Sequence, residues 1–142
     1  MKEPVRVHID GGARGNPGPA GFGVHVEDAT GKVVAELYGF LGRATNNVAE
    51  YTAFIAALEW ARAQGVNQLQ VYSDSQLLVR QIEGAYKVRH AGLKPLYARC
   101  RLLMTRFSLL RLEHVRREEN KEADALANRA MDEGAGNIPP PS

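Results

Sequence analysis

The chain has 142 residues, 44% hydrophobic and 24% charged, with a formal net charge of +2. That balance suits one globular domain and excludes a fibrous, polyelectrolyte or globally disordered chain. No run approaches the ~20 apolar residues of a membrane span, the opening MKEPVRVHID has no signal-peptide apolar region, and a lone Cys100 excludes an internal disulfide and disfavours a zinc site.

In chain order, VRVHID alternates Val5, Val7 and Ile9 with Arg6, His8 and Asp10, the period of a strand that ends on Asp10. The glycine-rich stretch that follows predicts a turn, FGVHV a second strand with Phe22, Val24 and Val26 on one face, DATGK another turn, and VVAELYGFLG a third strand. Connections this short make an antiparallel meander, because parallel neighbours need a crossover of about a dozen residues. From Asn47 to Gly65 the period changes: Val48, Tyr51, Ile55 and Leu58 recur at helical spacing, with Asn46 or Asn47 as the cap and Gly65 as the stop. QLQVYSDS is a fourth strand, Ser75 caps the short helix QLLVRQIEG, and GAYKVRHAGLK is a loop. Pro95 opens a helix carrying Leu96, Leu103 and Phe107, and LLRLEHV is a fifth strand. NKEADALANRAMDEG closes the series as an amphipathic helix with Ala123, Leu126, Ala127 and Ala130 on its apolar face. Residues 1–133 read as one domain, and the tail 134–142, GAGNIPPPS, as disordered. The order implies an α/β fold, a mixed five-stranded sheet of three antiparallel strands then parallel ones, with helices on both faces.

Two carboxylates stand at strand ends, Asp10 and Asp74, where open α/β sheets collect functional groups. Side by side they would offer the hard oxygen ligands that magnesium accepts; singly, each is an ordinary turn or cap residue. Glu50 lies in the first turn of the long helix, off the Val48–Tyr51–Ile55 stripe, where an acid also simply complements the helix dipole. Asp124 lies beside the apolar face of the last helix, where an unpaired carboxylate is costly unless neutralised. Basic residues gather at Lys87 and Arg89, at Arg99 and Arg101, and at Arg116 and Arg117; such clusters suit phosphate, and equally a solvated face.

Four motifs in register, DGGARGNPG, TNNVAEYTA, SDSQLLVRQI and ENKEADALAN, resemble the type 1 ribonuclease H family over residues 5 to 131. The resemblance implies a ribonuclease H-like fold and an endonuclease that hydrolyses the RNA strand of RNA/DNA hybrids, leaving 5′-phosphate and 3′-hydroxyl ends. It implies catalytic, metal-binding carboxylates at Asp10, Glu50, Asp74 and Asp124, with Asp10 bridging two Mg2+ ions, Glu50 and Asp74 completing one and Asp124 holding the other; Mn2+ would be a substitute. Such ion pairs sit about 4 Å apart and stabilise charge on both sides of an in-line displacement. Substrate contacts implied by the resemblance fall on Gly11, Gly12 and Ala13, on Asn16, Thr45 and Asn46, on Ser75 and Gln76, and on Lys87 and Arg89.

Two departures stand out. The long basic protrusion of many members is replaced by the shorter EGAYKVRHAGLK, which shifts hybrid affinity onto Lys87, Arg89 and nearby arginines. The histidine-containing loop before the last helix is absent; Arg117 and Glu119 are the candidates for its place, and His114 belongs to the fifth strand. A cytoplasmic monomer that acts on a hybrid and not on a membrane is expected. The alternatives are a non-catalytic hybrid-binding module and a DNA-acting nuclease of the same fold. The first is disfavoured because a cluster of acids without metal repels phosphate. A nucleotide-binding oxidoreductase is excluded, since residues 11–23 hold no G-x-G-x-x-G and a strand follows where a phosphate-binding helix is required.

Overall fold

In the computed structural model, which describes residues 4–139 and 141, the chain opens with three long strands: β1 (Val5–Ala13), β2 (Gly18–Glu27) and β3 (Val33–Ala44). They pair antiparallel as the meander their short connections dictate. There follow α1 (Asn46–Ala63), β4 (Gln68–Ser73), α2 (Gln76–Glu83), α3 (Lys94–Met104), β5 (Leu109–His114), a 3₁₀ turn (Arg117–Glu119) and α4 (Lys121–Glu133). β4 adds parallel to β1 and β5 parallel to β4, giving the order β3-β2-β1-β4-β5. The mixed sheet and the element order agree with the sequence reading; the 3₁₀ turn is an addition to it. Among the described residues no helix is long and apolar enough to cross a membrane.

The strands outrun the alternating runs that mark them. β1 continues through Gly11, Gly12 and Ala13, which pair with Phe22, Gly21 and Ala20 of β2, so most of the expected glycine-rich turn is strand and the connection shrinks to residues 14–17. Ladder bonds need only backbone, which glycine supplies. On its other side β1 pairs with β4 only as far as Ile9 opposite Ser73. Asp10 therefore stands inside β1, at the residue where β1 and β4 part, rather than at its end.

One sheet face, carrying Val7, Ile9, Phe22, Val24, Val26, Leu69 and Val71, shares a core with Tyr51, Phe54, Ile55 and Leu58 of α1. α2 contributes Leu78 and Ile82 and α3 contributes Cys100 and Leu103 to the same core. α1 is buried along nearly its whole middle, Ala49 to Leu58, because it lies between the sheet and α3. Its cap is Thr45, whose Oγ1 accepts from the Val48 N–H at 3.1 Å, so Asn46 and Asn47, the expected caps, already lie in the helix. Ser75 caps α2 as expected, accepting from Leu78 N–H at 3.2 Å. α3 ends at Met104, and Phe107 meets the core from the turn beyond it rather than from the helix.

α4 covers the opposite face, over β2, β1 and β3. It comes so close at Gly23 that a Cβ there would collide with the Ala123 carbonyl, with Leu126 Cβ at 2.6 Å. Beyond α4, residues 134–138 depart from the expected disorder. Asn137 lies on the outer edge of β3: its N–H donates to Tyr38 O (3.0 Å), its Oδ1 accepts from Tyr38 N–H (2.8 Å) and its Nδ2 donates to Glu36 O (2.8 Å). An edge strand's unpaired groups are thereby covered. Residues 1–3, 140 and 142, part of the sequence reading of the termini, lie outside the described residues.

Gly23→Ala is expected to lower unfolding free energy by about 1–3 kcal/mol through overpacking of α4 on β2, read from denaturant melts. An unchanged midpoint would mean that α4 has room to move.

Candidate active site

The fork where β1 leaves β4 is the place on which four carboxylates converge. Asp10 comes from β1, and Asp74 follows β4 directly, ahead of the Ser75 cap. Glu50 reaches the fork from the first turns of α1. That approach is possible because residue 11 is glycine: a Cβ there would strike the Ala49 carbonyl, and instead Gly11 N–H donates to Glu50 Oε1 at 2.8 Å. One carboxylate oxygen from each of Asp10, Glu50 and Asp74 lies within 4.8 Å of the others. Asp124 arrives from the other sheet face, in the first turn of α4, and lines the same cleft as Asp10. Asn120 sets that approach. Fully buried, it donates from Nδ2 to Ile9 O at 2.8 Å, tying the start of α4 to the backbone beside Asp10.

Burial pushes the Asp10 carboxyl up to about 8, and the neighbouring Asp74 and Asp124 add to the rise. Glu50 is also held well above the usual carboxylate range, by burial first and then by Asp10 and Asp74; the Gly11 N–H and the Arg117 guanidinium pull it down without prevailing. Arg14 lines the same cleft but is engaged elsewhere, 2.6 Å from Asp132 Oδ1 and 3.3 Å from Asn128 Oδ1. The site therefore carries an excess of acid. Hard oxygen donors, Asp10 and Glu50 buried and Asp74 half-buried, converging with Arg117 as the one cation of the cleft, among the described residues, besides the engaged Arg14, are the donor set that a divalent cation such as magnesium accepts, so these residues fit a metal.

The cleft, about 410 Å³, is lined by Gly11, Gly12, Ala13 and Asn46 beside the four acids. Ala13 N–H donates to Asn46 Oδ1 (2.7 Å), and Asn46 N–H donates to Asn16 Oδ1 (3.0 Å). Both amide oxygens are thus used inside the protein, and among the described residues both Nδ2 groups remain without a protein acceptor. Thr45 and Ser75 are helix caps, and Gln76 is exposed at the start of α2. Lys87 and Arg89 are not in the cleft. Lys87 lines a separate cavity with Tyr86, Lys94 and Tyr97, and Arg89 is exposed on the same segment. The sequence reading passed over Arg14, Asn120 and Asn128. Asn120 reads as a helix cap by position, and only the fold turns its amide onto β1.

Comparison with known proteins gives these features a family. The family model described as reverse transcriptase-like matches residues 8–130. RNase H1 of Halobacterium salinarum superposes with a TM-score of 0.89 at 44% identity, over 92% of this chain and 99% of that one. LC11-RNase H1, solved in complex with an RNA/DNA hybrid, gives a TM-score of 0.87 at 42% identity, over 92% and 98%. The bifunctional protein Rv2228c of Mycobacterium tuberculosis is 46% identical over 132 residues, 92% of this chain but 36% of that protein. The chain thus spans about a third of the mycobacterial relatives it matches, and 65% of the Halobacterium Ribonuclease HI sequence. These matches and the sheet they share make the chain a member of the type 1 ribonuclease H family.

A raised Asp10 lets the sign of a pH effect be worked out. Its carboxyl titrates near 8 in the fold against an ordinary 3.8, so the metal-free fold binds the extra proton between those values and loses stability as pH rises through them. A divalent cation held by the ionised carboxylates would reverse that loss. Millimolar Mg2+ at about a hundredfold over Kd is expected to raise Tm by roughly 10 °C at pH 8, and by much less at pH 5.5. Asp10→Asn is expected to raise the metal-free Tm at pH 8 and to shrink the Mg2+ increment. Equal increments at both pH values would show that these acids do not hold the ion.

Proposed function

We propose that this chain is a metal-dependent endonuclease that hydrolyses the RNA strand of RNA/DNA hybrids, giving 5′-phosphate and 3′-hydroxyl ends. The observation that carries the reading is the convergence of Asp10, Glu50, Asp74 and Asp124 in one cleft with the half-buried main chain of Gly11–Ala13. Asp10 is central among them, facing Asp74, Glu50 and Asp124 alike, which suits it to bridge two cations. Glu50 and Asp74 would complete one ion and Asp124 would hold the other, with Mg2+ preferred and Mn2+ as a substitute. Two such ions supply Lewis acidity to the attacking water and to the leaving 3′-oxygen of one phosphodiester.

The chain's own residues do the rest. Asn120 and the Gly11–Glu50 hydrogen bond hold the acids against their mutual repulsion, so the ligand set exists before metal arrives. Gly11, Gly12 and Ala13 bring backbone to the rim of the cleft, where ribose hydroxyls can be read by groups that ignore base identity. Asn16 and Asn46 turn their Nδ2 donors outward because their oxygens are already spent, which suits them to accept-only partners such as phosphate and base-edge oxygens. Gln76, exposed at the head of α2, extends the same rim, with Thr45 and Ser75 acting through the helix starts they cap. A monomer suffices for this reading, because every group it uses comes from one chain.

The test is cleavage of labelled RNA/DNA hybrid, RNA duplex and DNA duplex, each with Mg2+ and with excess chelator. Hybrid-selective, chelator-sensitive cleavage is expected, with Asp10→Asn lowering kcat by at least about 10³-fold while hybrid binding persists. Equal cleavage of DNA duplex, or cleavage that survives chelation, would overturn the reading.

A further inference from the structure

α2 buries Leu78, Val79, Gln81 and Ile82, and Gln81 is the polar member of that set. A leucine would fill the position without the cost of desolvating an amide, so what the amide reaches matters. The Tyr51 hydroxyl of α1 donates to Gln81 Oε1 at 2.6 Å, and Gln81 Nε2 donates to the Lys87 carbonyl at 3.3 Å. Tyr51 is 1% exposed, and burial keeps its hydroxyl protonated and able to donate. Lys87 lies in residues 85–92, a segment without helix or strand between α2 and α3. The segment's other hydrogen bonds are local: Ala85 and Tyr86 N–H to Arg80 O, Gly92 N–H to His90 Nδ1, and Leu93 and Lys94 N–H to His90 O. Among the described residues, Gln81 is the side chain outside the segment that hydrogen-bonds its backbone.

What the segment carries is positive charge. Lys87 and Lys94 line a cavity of about 370 Å³ with Tyr86 and Tyr97 and no acid, and Arg89 is exposed nearby. The other end of the hydrogen-bond chain is Tyr51, the residue after Glu50 on α1. We propose that Gln81 is a positioning residue: the Tyr51–Gln81–Lys87 chain holds the basic segment at a set distance from the carboxylate fork, and hybrid affinity depends on it while the cleavage step does not. The inference rests on the hybrid-nuclease reading above. A segment ordered in advance binds phosphates without the ordering cost that a released one must meet, and a loss confined to binding raises KM and leaves kcat in place.

Steady-state cleavage of hybrid by the full chain tests it. Gln81→Leu is expected to raise KM about three- to tenfold with kcat within about twofold, and to flatten the salt dependence of kcat/KM as phosphate contacts are lost. Gln81→Glu keeps the acceptor for Tyr51 but removes the donor to Lys87, and is expected to match Gln81→Leu. In a Lys87→Ala/Arg89→Ala background, Gln81→Leu is expected to add nothing further. A fall in kcat with KM unmoved, wild-type behaviour of Gln81→Glu, or the same KM change in the charge-deleted background would overturn the inference. Wild-type cleavage with an unaffected Gln81→Leu overturns this inference alone; absence of wild-type cleavage overturns the functional reading together with it.

Discussion

The close approach of β1 to the first turns of α1 is the constraint from which the site follows. With no side chain at residue 11, the backbone of β1 meets that of Ala49 and Glu50, and the Gly11 N–H becomes a partner for the Glu50 carboxylate. That contact fixes where α1 begins relative to the strand. Thr45 caps the helix at that point, and Asn46 and Asn16 tie its start to the β1–β2 connection. A larger residue at 11 would push α1 outward and move Glu50, Asn46 and the core contacts of Tyr51 together.

The site that results is electrostatically unfavourable by itself. Buried carboxylates raise one another's proton affinity, and Arg14, the nearby cation on the β1–β2 connection, is spent on Asp132 and Asn128. The fold offsets this by apolar packing on both sides of the fork. α1 lies in the core between the sheet and α3, and α4 sits directly on the glycines of β2. Destabilisation at a functional cluster, balanced by consistent packing around it, is the expected signature of a site that awaits a ligand.

Periodicity made most of the fold legible, because strands and helices that bury one face must repeat at 2 or 3.6 residues. Strand ends were less legible: Gly11, Gly12 and Gly18 carry turn chemistry in sequence but lie within strands, so Asp10 moved from a strand end to a strand interior. The carboxylates themselves were visible mainly as a set of motifs, since Asp10, Glu50 and Asp74 do not differ locally from a cap or a solvated acid and only Asp124, beside an apolar helix face, stands out by itself. Least legible were contacts carried by one amide across the fold. Asn120 to Ile9, Asn137 to β3 and Gln81 to Lys87 each join residues that no local pattern associates. Lys87, one of the expected substrate contacts, lines a cavity separate from the carboxylate cleft, a position that a run of basic residues in sequence does not specify.

That separation gives α1 a second task. Adjacent residues on a helix point about 100° apart, so Glu50 and Tyr51 address different regions from one rigid element. Glu50 is held by the Gly11 N–H at the fork, and Tyr51 runs through Gln81 to the backbone of the basic segment. The substrate proposed for this chain is a continuous polyanion, for which reacting phosphate and flanking phosphates lie at spacings that the duplex sets. A protein that grips both needs its acidic and basic regions at a matching spacing, and a buried helix is a better ruler than a surface loop. The shortened segment between α2 and α3 gains from such a tie, because it has no secondary structure of its own to keep its charges in place.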